Sequence, residues 1–134
     1  MNSPGATPGC VIRRRESESH RDPRVRAVFP LAPALGPALR PRSLEEISIP
    51  VEIVAGAADE IVPIGSSARY FAAHIPRAKL TLLSGVGHYV FLGACTSQGR
   101  AAVPLCRDGP GIDREAVHET AAQMALRFFA ENIQ

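Results

Sequence analysis

The chain has 134 residues, enough for one domain with a core of its own. Its composition is 46% apolar and 21% charged, and its formal net charge is +2, too small by itself to point to nucleic acid or an anionic membrane. No apolar run approaches the roughly 20 residues needed to span a bilayer, and the three cysteines show neither Cys-x-x-Cys nor Cys/His ligand spacing, which argues against a zinc site.

Residues 1–22 differ from the rest. Pro and Gly come first, and Arg13-Arg14-Arg15-Glu16-Ser17-Glu18 then mixes both charge signs with almost nothing to bury. This stretch reads as a disordered or poorly anchored lead-in to a domain over 23–134. Acids interrupt the basic run and no aromatics accompany it, so a solvated segment is favoured over a nucleic-acid patch. The first residues lack a basic start followed by an apolar core, so no signal peptide is visible. The cytoplasm is then the default compartment, unless a longer chain carries a signal upstream.

Val25-Arg26-Ala27-Val28-Phe29 is β-branched and aromatic and predicts a first strand. Pro30, Pro33, Pro37 and Pro41, with Gly36, then exclude regular structure over most of 30–43. A short helical turn or loop is expected at 43–47. Ile49 to Val54 predicts a second strand, with Pro50 near its start, where a missing N–H is tolerated. Ser66 to Ile75 predicts a helix, because Ala68, Phe71, Ala72 and Ile75 fall on one face; Ser66 and Ser67 are expected to cap it. Pro76 stops it. Lys79 to Leu83 predicts a third strand, and 89–112 an irregular stretch rich in Gly and Pro. Asp113 can cap a last helix, along which Val117, Ala121, Met124 and Phe128 recur at helical spacing. Strands alternating with helices predict an α/β fold with about three parallel strands. Such a sheet is thin for two covered faces, so the chain looks like the latter part of something larger, with an exposed sheet edge open to self-association.

Two strand ends carry the chemistry. Val54-Ala55-Gly56-Ala57-Ala58-Asp59 presents a carboxylate after the second strand, and Ser84-Gly85-Val86-Gly87-His88 an imidazole after the third. Reacting groups in α/β sheets gather at such carboxyl ends. An Asp that accepts from one imidazole nitrogen fixes the tautomer and stabilises the imidazolium formed when the other nitrogen takes a proton. Gly56, Gly85 and Gly87 suit turns that aim these side chains.

The runs PVEIVAGAADEIVP and GVGHYVF, followed by a terminal helix carrying Phe128-Phe129, resemble the C-terminal half of an α/β-hydrolase. The flavour is that of the dienelactone hydrolase-like and platelet-activating-factor acetylhydrolase-like branch, and the resemblance covers roughly 22–132. It implies carboxylic-ester hydrolysis of a small-molecule substrate without metal or organic cofactor, with Asp59 as acid and His88 as general base of a Ser-Asp-His triad. The family's nucleophile sits in a Gly-x-Ser-x-Gly elbow ahead of the acid. This chain has none: Ser84 follows the acid and lacks the first glycine, and Cys10 has no preceding strand. The N-terminal half with the nucleophile and oxyanion donors is therefore expected to be missing, and the chain to be inactive alone. The other reading is a non-catalytic relic or binding module that keeps the half-fold.

Five further features carry a local reading. Cys95 and Cys106 form either a disulfide closing a loop of about 12 residues, worth about 3 kcal/mol in a chain-entropy estimate, or two reduced thiols. Tyr89, Val90 and Phe91 either line an acyl pocket or pack under the last helix. His74 suits a helix end and His118 a helix surface. Arg114 is expected to be a surface residue beside the cap.

Overall fold

A computed structural model describes residues 21–133. Residues 1–20, with Cys10 and the Arg13–Arg15 run, lie outside the described residues. Two strands form a parallel sheet: β1 (Val51–Gly56) and β2 (Ala78–Leu83), in register from Val51 opposite Ala78 to Gly56 opposite Leu83. Helices follow the chain as α1 (Pro41–Glu45), α2 (Ala68–His74), α3 (Ser97–Ala102) and α4 (Arg114–Asn132), with short 3-10 turns between them. α2 is the crossover that a parallel pair requires.

β1 is the centre of the core. Ile53 and Val54 are fully buried, one on each face of the strand. Val51, Ile53 and Ala55, alternate residues on one face, pack with Leu44 of α1 and with Ala68, Phe71 and the following Ile75 of α2. The amphipathic face expected of α2 is thus the face it buries. α4 packs against the segment beside β1, where Phe128 and Phe129 lie against Phe29 with ring centroids 5.8 and 6.2 Å apart. Val54, on the face opposite Ile53, is also fully buried, so neither face of β1 is open at its centre.

The expected third strand does not form. The segment near Val28 to Ala32 runs beside β1 but joins it only through isolated bridges, Val28 with Val51 and Leu31 with Val54. Val28 N donates to Pro50 O at 3.1 Å, Glu52 N to Val28 O at 3.0 Å, Val54 N to Pro30 O at 3.1 Å and Ala32 N to Val54 O at 2.8 Å. The ladder bond between these pairs needs an N–H at position 30, and Pro30 has none. Ala32, at φ 43°, then turns the chain out of the sheet. The contact is also displaced along the chain from the expected 25–29, and Val25 is exposed.

The stretch 89–112 is more ordered than expected. Thr96 Oγ1 accepts from Gly99 N at 3.1 Å and starts α3, a one-and-a-half-turn helix that the glycines hid from periodicity. Asp113 caps α4 as expected, accepting from Glu115 N at 3.0 Å and Ala116 N at 3.3 Å. Ser67 stands at the N-cap of α2, yet its side chain makes no cap bond, and Ser66 Oγ donates to Pro63 O instead. Among the described residues no helix is long and apolar enough to cross a membrane.

Gly56 ends β1 where two backbones meet. A Cβ there would lie 2.1 Å from Val86 O and 2.7 Å from Val86 C. Gly56→Ala is expected to push the β2 loop away and to cost about 1–3 kcal/mol, measured as a lower Tm in thermal unfolding. An unchanged Tm would show that the Val86 loop can yield.

Candidate active site

The loops after β1 and β2 continue the parallel pairing beyond the strands. Ala57 N donates to Leu83 O at 2.8 Å and Ala58 N to Val86 O at 3.0 Å. These bonds hold the two loops side by side and bring Asp59 to His88. Gly85 turns the β2 loop at φ 72°, a conformation that suits glycine. Gly87 is extended at φ −92°, ψ 175°, so its backbone would accept any side chain. The expectation that all three glycines serve tight turns holds for Gly85 in dihedral and for Gly56 in close approach, not for Gly87.

Asp59 Oδ2 lies 2.7 Å from His88 Nδ1. The other oxygen, Oδ1, accepts from Ile61 N at 3.0 Å and Val62 N at 2.7 Å. The carboxylate is thereby locked in one orientation, with its side chain 3% exposed against 23% for His88. An ionised carboxylate only accepts, so Nδ1 of the neutral ring carries the proton and Nε2 keeps its lone pair. Among the described residues nothing is hydrogen-bonded to Nε2, and no hydroxyl or thiol bonds the ring. The imidazole is partly exposed while the carboxylate beside it is nearly buried, and a neutral ring with a free Nε2 lone pair is able to accept a proton.

His88 opens a 3-10 turn, His88–Phe91, which α4 secures. Val90 is buried, and its carbonyl meets His118 Nε2 at 2.6 Å. His118, expected at a helix surface, is a half-buried tie between α4 and this turn. Tyr89 packs edge-on to His88 with centroids 5.3 Å apart. His74 Nδ1 meets Tyr70 O at 2.8 Å, one helical turn back.

Sequence reasoning missed Arg114. Its side chain is 6% exposed and pairs with Asp108 through Nη2–Oδ1 at 2.7 Å and Nε–Oδ2 at 3.0 Å. It also donates to Gly93 O at 3.2 Å and Leu105 O at 2.8 Å, and Nη1 lies 3.3 Å from Cys95 Sγ. An arginine next to a cap residue carries no signal of burial in sequence; only the loop wrapped round it does. Cys95 and Cys106 are joined by a disulfide in that loop.

Among the described residues no three His, Cys, Asp or Glu side chains gather to hold a metal ion. A cavity of about 760 Å³ lies among the described residues, and neither Asp59 nor His88 lines it. It is an apolar groove between the Val28 segment, α1 and the α2 face of β1, lined by residues such as Val28, Leu39, Val51, Phe71 and Ile75. No protein-family model matches the chain and no curated protein is similar to it. Among solved structures, a bromoperoxidase from Bacillus anthracis is similar over 69% of this chain at 24% identity and a TM-score of 0.42. The chain spans 25% of that protein's length.

Proposed function

We propose that Asp59 and His88 are the acid and general base of a serine-hydrolase relay acting on a carboxylic ester, within a partial α/β-hydrolase domain over 23–134. The observation that carries this reading is the 2.7 Å bond from His88 Nδ1 to a carboxylate whose other oxygen is held by two backbone N–H groups. Such a pair, with Nε2 open, suits general-base catalysis. It takes the proton of a hydroxyl as that hydroxyl attacks the ester carbonyl, and it returns the proton to the leaving alkoxide. Asp59 stabilises the imidazolium in between. The nucleophile and the oxyanion donors, which supply most of the rate, belong in this reading to a strand–Gly-x-Ser-x-Gly–helix segment outside the 134 residues.

The reading is tested first on the chain itself. Long-range proton–nitrogen NMR of His88 is expected to find the neutral ring protonated on Nδ1, and Asp59→Ala to lose that preference. A ring protonated on Nε2 would overturn the base assignment. Turnover of a short p-nitrophenyl ester is expected to be no faster than that of His88→Ala; rapid turnover that needs His88 would reveal a nucleophile within this chain. If the coding DNA upstream of Met1 holds the elbow in frame, the longer protein should label with a fluorophosphonate at that serine, and Asp59→Asn should lower its kcat by about 10⁴-fold.

A second reading, a non-catalytic binding module, is favoured by the groove and the half-formed third strand. Exposed Val25, Val28, Leu31 and Leu39 lie on or near this edge, which can pair with a partner or a second copy. A discrete dimer on light scattering, returned to monomer by Val28→Lys, is the result expected of it. A monomer that unfolds without cooperativity would count against it.

A further inference from the structure

The Cys95–Cys106 disulfide takes no part in the Asp59–His88 pair, yet its surroundings are built and unequal. Arg114 Nη1 lies 3.3 Å from Cys95 Sγ, and Arg100 Nη1 donates to the Cys95 carbonyl at 2.6 Å. Among the described residues no donor is hydrogen-bonded to Cys106 Sγ. Both cysteines are partly exposed and line a cavity of about 290 Å³. Three acids share that cavity, Asp108, Asp113 and Glu115. Asp108 is engaged by Arg114 and Asp113 by the first turn of α4, while Glu115 is exposed.

In thiol–disulfide exchange the sulfur that departs as the better-stabilised thiolate leaves faster. A guanidinium N–H aimed at a sulfur favours its thiolate. We infer that the Cys95–Cys106 pair is a directed redox site, at which a glutathione-class thiol or a dithiol attacks Cys106 Sγ and Cys95 departs as a thiolate held by Arg114. The attacking thiolate forms a new S–S bond with Cys106, the Cys95–Cys106 bond breaks, and its electron pair stays on Cys95. With a dithiol, the second thiol gives its proton to solvent and displaces Cys106, which is released as a thiolate. The dithiol is oxidised to its disulfide and the protein pair is reduced by two electrons.

The loop survives this change because Arg114 anchors it independently. Gly93 lies before Cys95, Leu105 lies just before Cys106 and Asp108 after it, and all three bond the same guanidinium. Opening the S–S bond therefore exposes a thiol pair without releasing its frame.

The test uses the full 134-residue chain with Cys10→Ser, so that only the pair reports. The oxidised protein is exposed to reduced glutathione, quenched with N-ethylmaleimide and mapped by peptide mass spectrometry. The glutathione adduct is expected on Cys106 over Cys95 by about fivefold or more, and Arg114→Gln should bring the ratio toward one while Arg114→Lys keeps part of it. Adducts spread evenly, adducts on Cys95, or a bridge that resists thiols in the folded chain would overturn the inference. Should the Arg114 variants fail to fold, the dithiothreitol-reduced chain with Arg114 intact decides. Cys95 is then expected to be alkylated by iodoacetamide about fivefold faster than Cys106 at neutral pH, with equal rates as the contrary result.

Discussion

The parallel pairing of β1 with β2 does not stop where the strands stop. Two further backbone bonds, Ala57 N to Leu83 O and Ala58 N to Val86 O, carry the register into the loops. They form because Gly56 has no Cβ to hold the Val86 carbonyl away. The distance between Asp59 and His88 is set by this zipper. Each residue lies a few positions beyond its strand, so a slip of one register step would move one of them by about 3.3 Å, more than a hydrogen bond tolerates. The burial of Ile53 against α2 and of Val54 on the other face resists such a slip, because it would turn buried side chains to the wrong face.

The same logic extends from the pair to its supports. Asp59 is held by Ile61 N and Val62 N, so the loop that follows β1 turns back to orient its own carboxylate. His88 is held by the 3-10 turn, and the turn by His118 reaching Val90 O from α4. The site thus draws on both strand ends and on the last helix. What the fold leaves open is the other flank, where Pro30 interrupts the ladder and Val28, Leu31 and Leu39 remain exposed beside an apolar groove.

The loop from 92 to 113 has a different organisation. It contributes little apolar burial and is built round one guanidinium. Arg114 and Asp108 are a mostly buried pair, whose partners leave an uncompensated charge if either is removed, a loss of about 3–5 kcal/mol in comparable pairs. The pair is most economically read as an organiser of loop geometry, since it joins residues on both sides of the disulfide to the first turn of α4. The turn that carries His88 leads directly into this loop.

Local chemistry in the sequence was sufficient for α2, for β1 and β2 to within two residues, for the Asp113 cap and for the choice of Asp59 and His88 as the residues at strand ends. Apolar spacing, Pro and Gly punctuation and capping act over a few residues, so they can be read without the fold. β-propensity at 25–29 does not yield a third strand, because it says nothing of which neighbour is available and the ladder depends on the N–H that Pro30 lacks. The small helix α3 was hidden by glycines that a threonine cap offset. Arg114, His118 and the groove were decided only by tertiary structure, because burial of a charge, a bond across twenty-eight residues and an uncovered sheet flank are relations between distant segments. The sequence by itself determined which groups exist at the two loop ends; the parallel register and the contact at Gly56 decided that they meet.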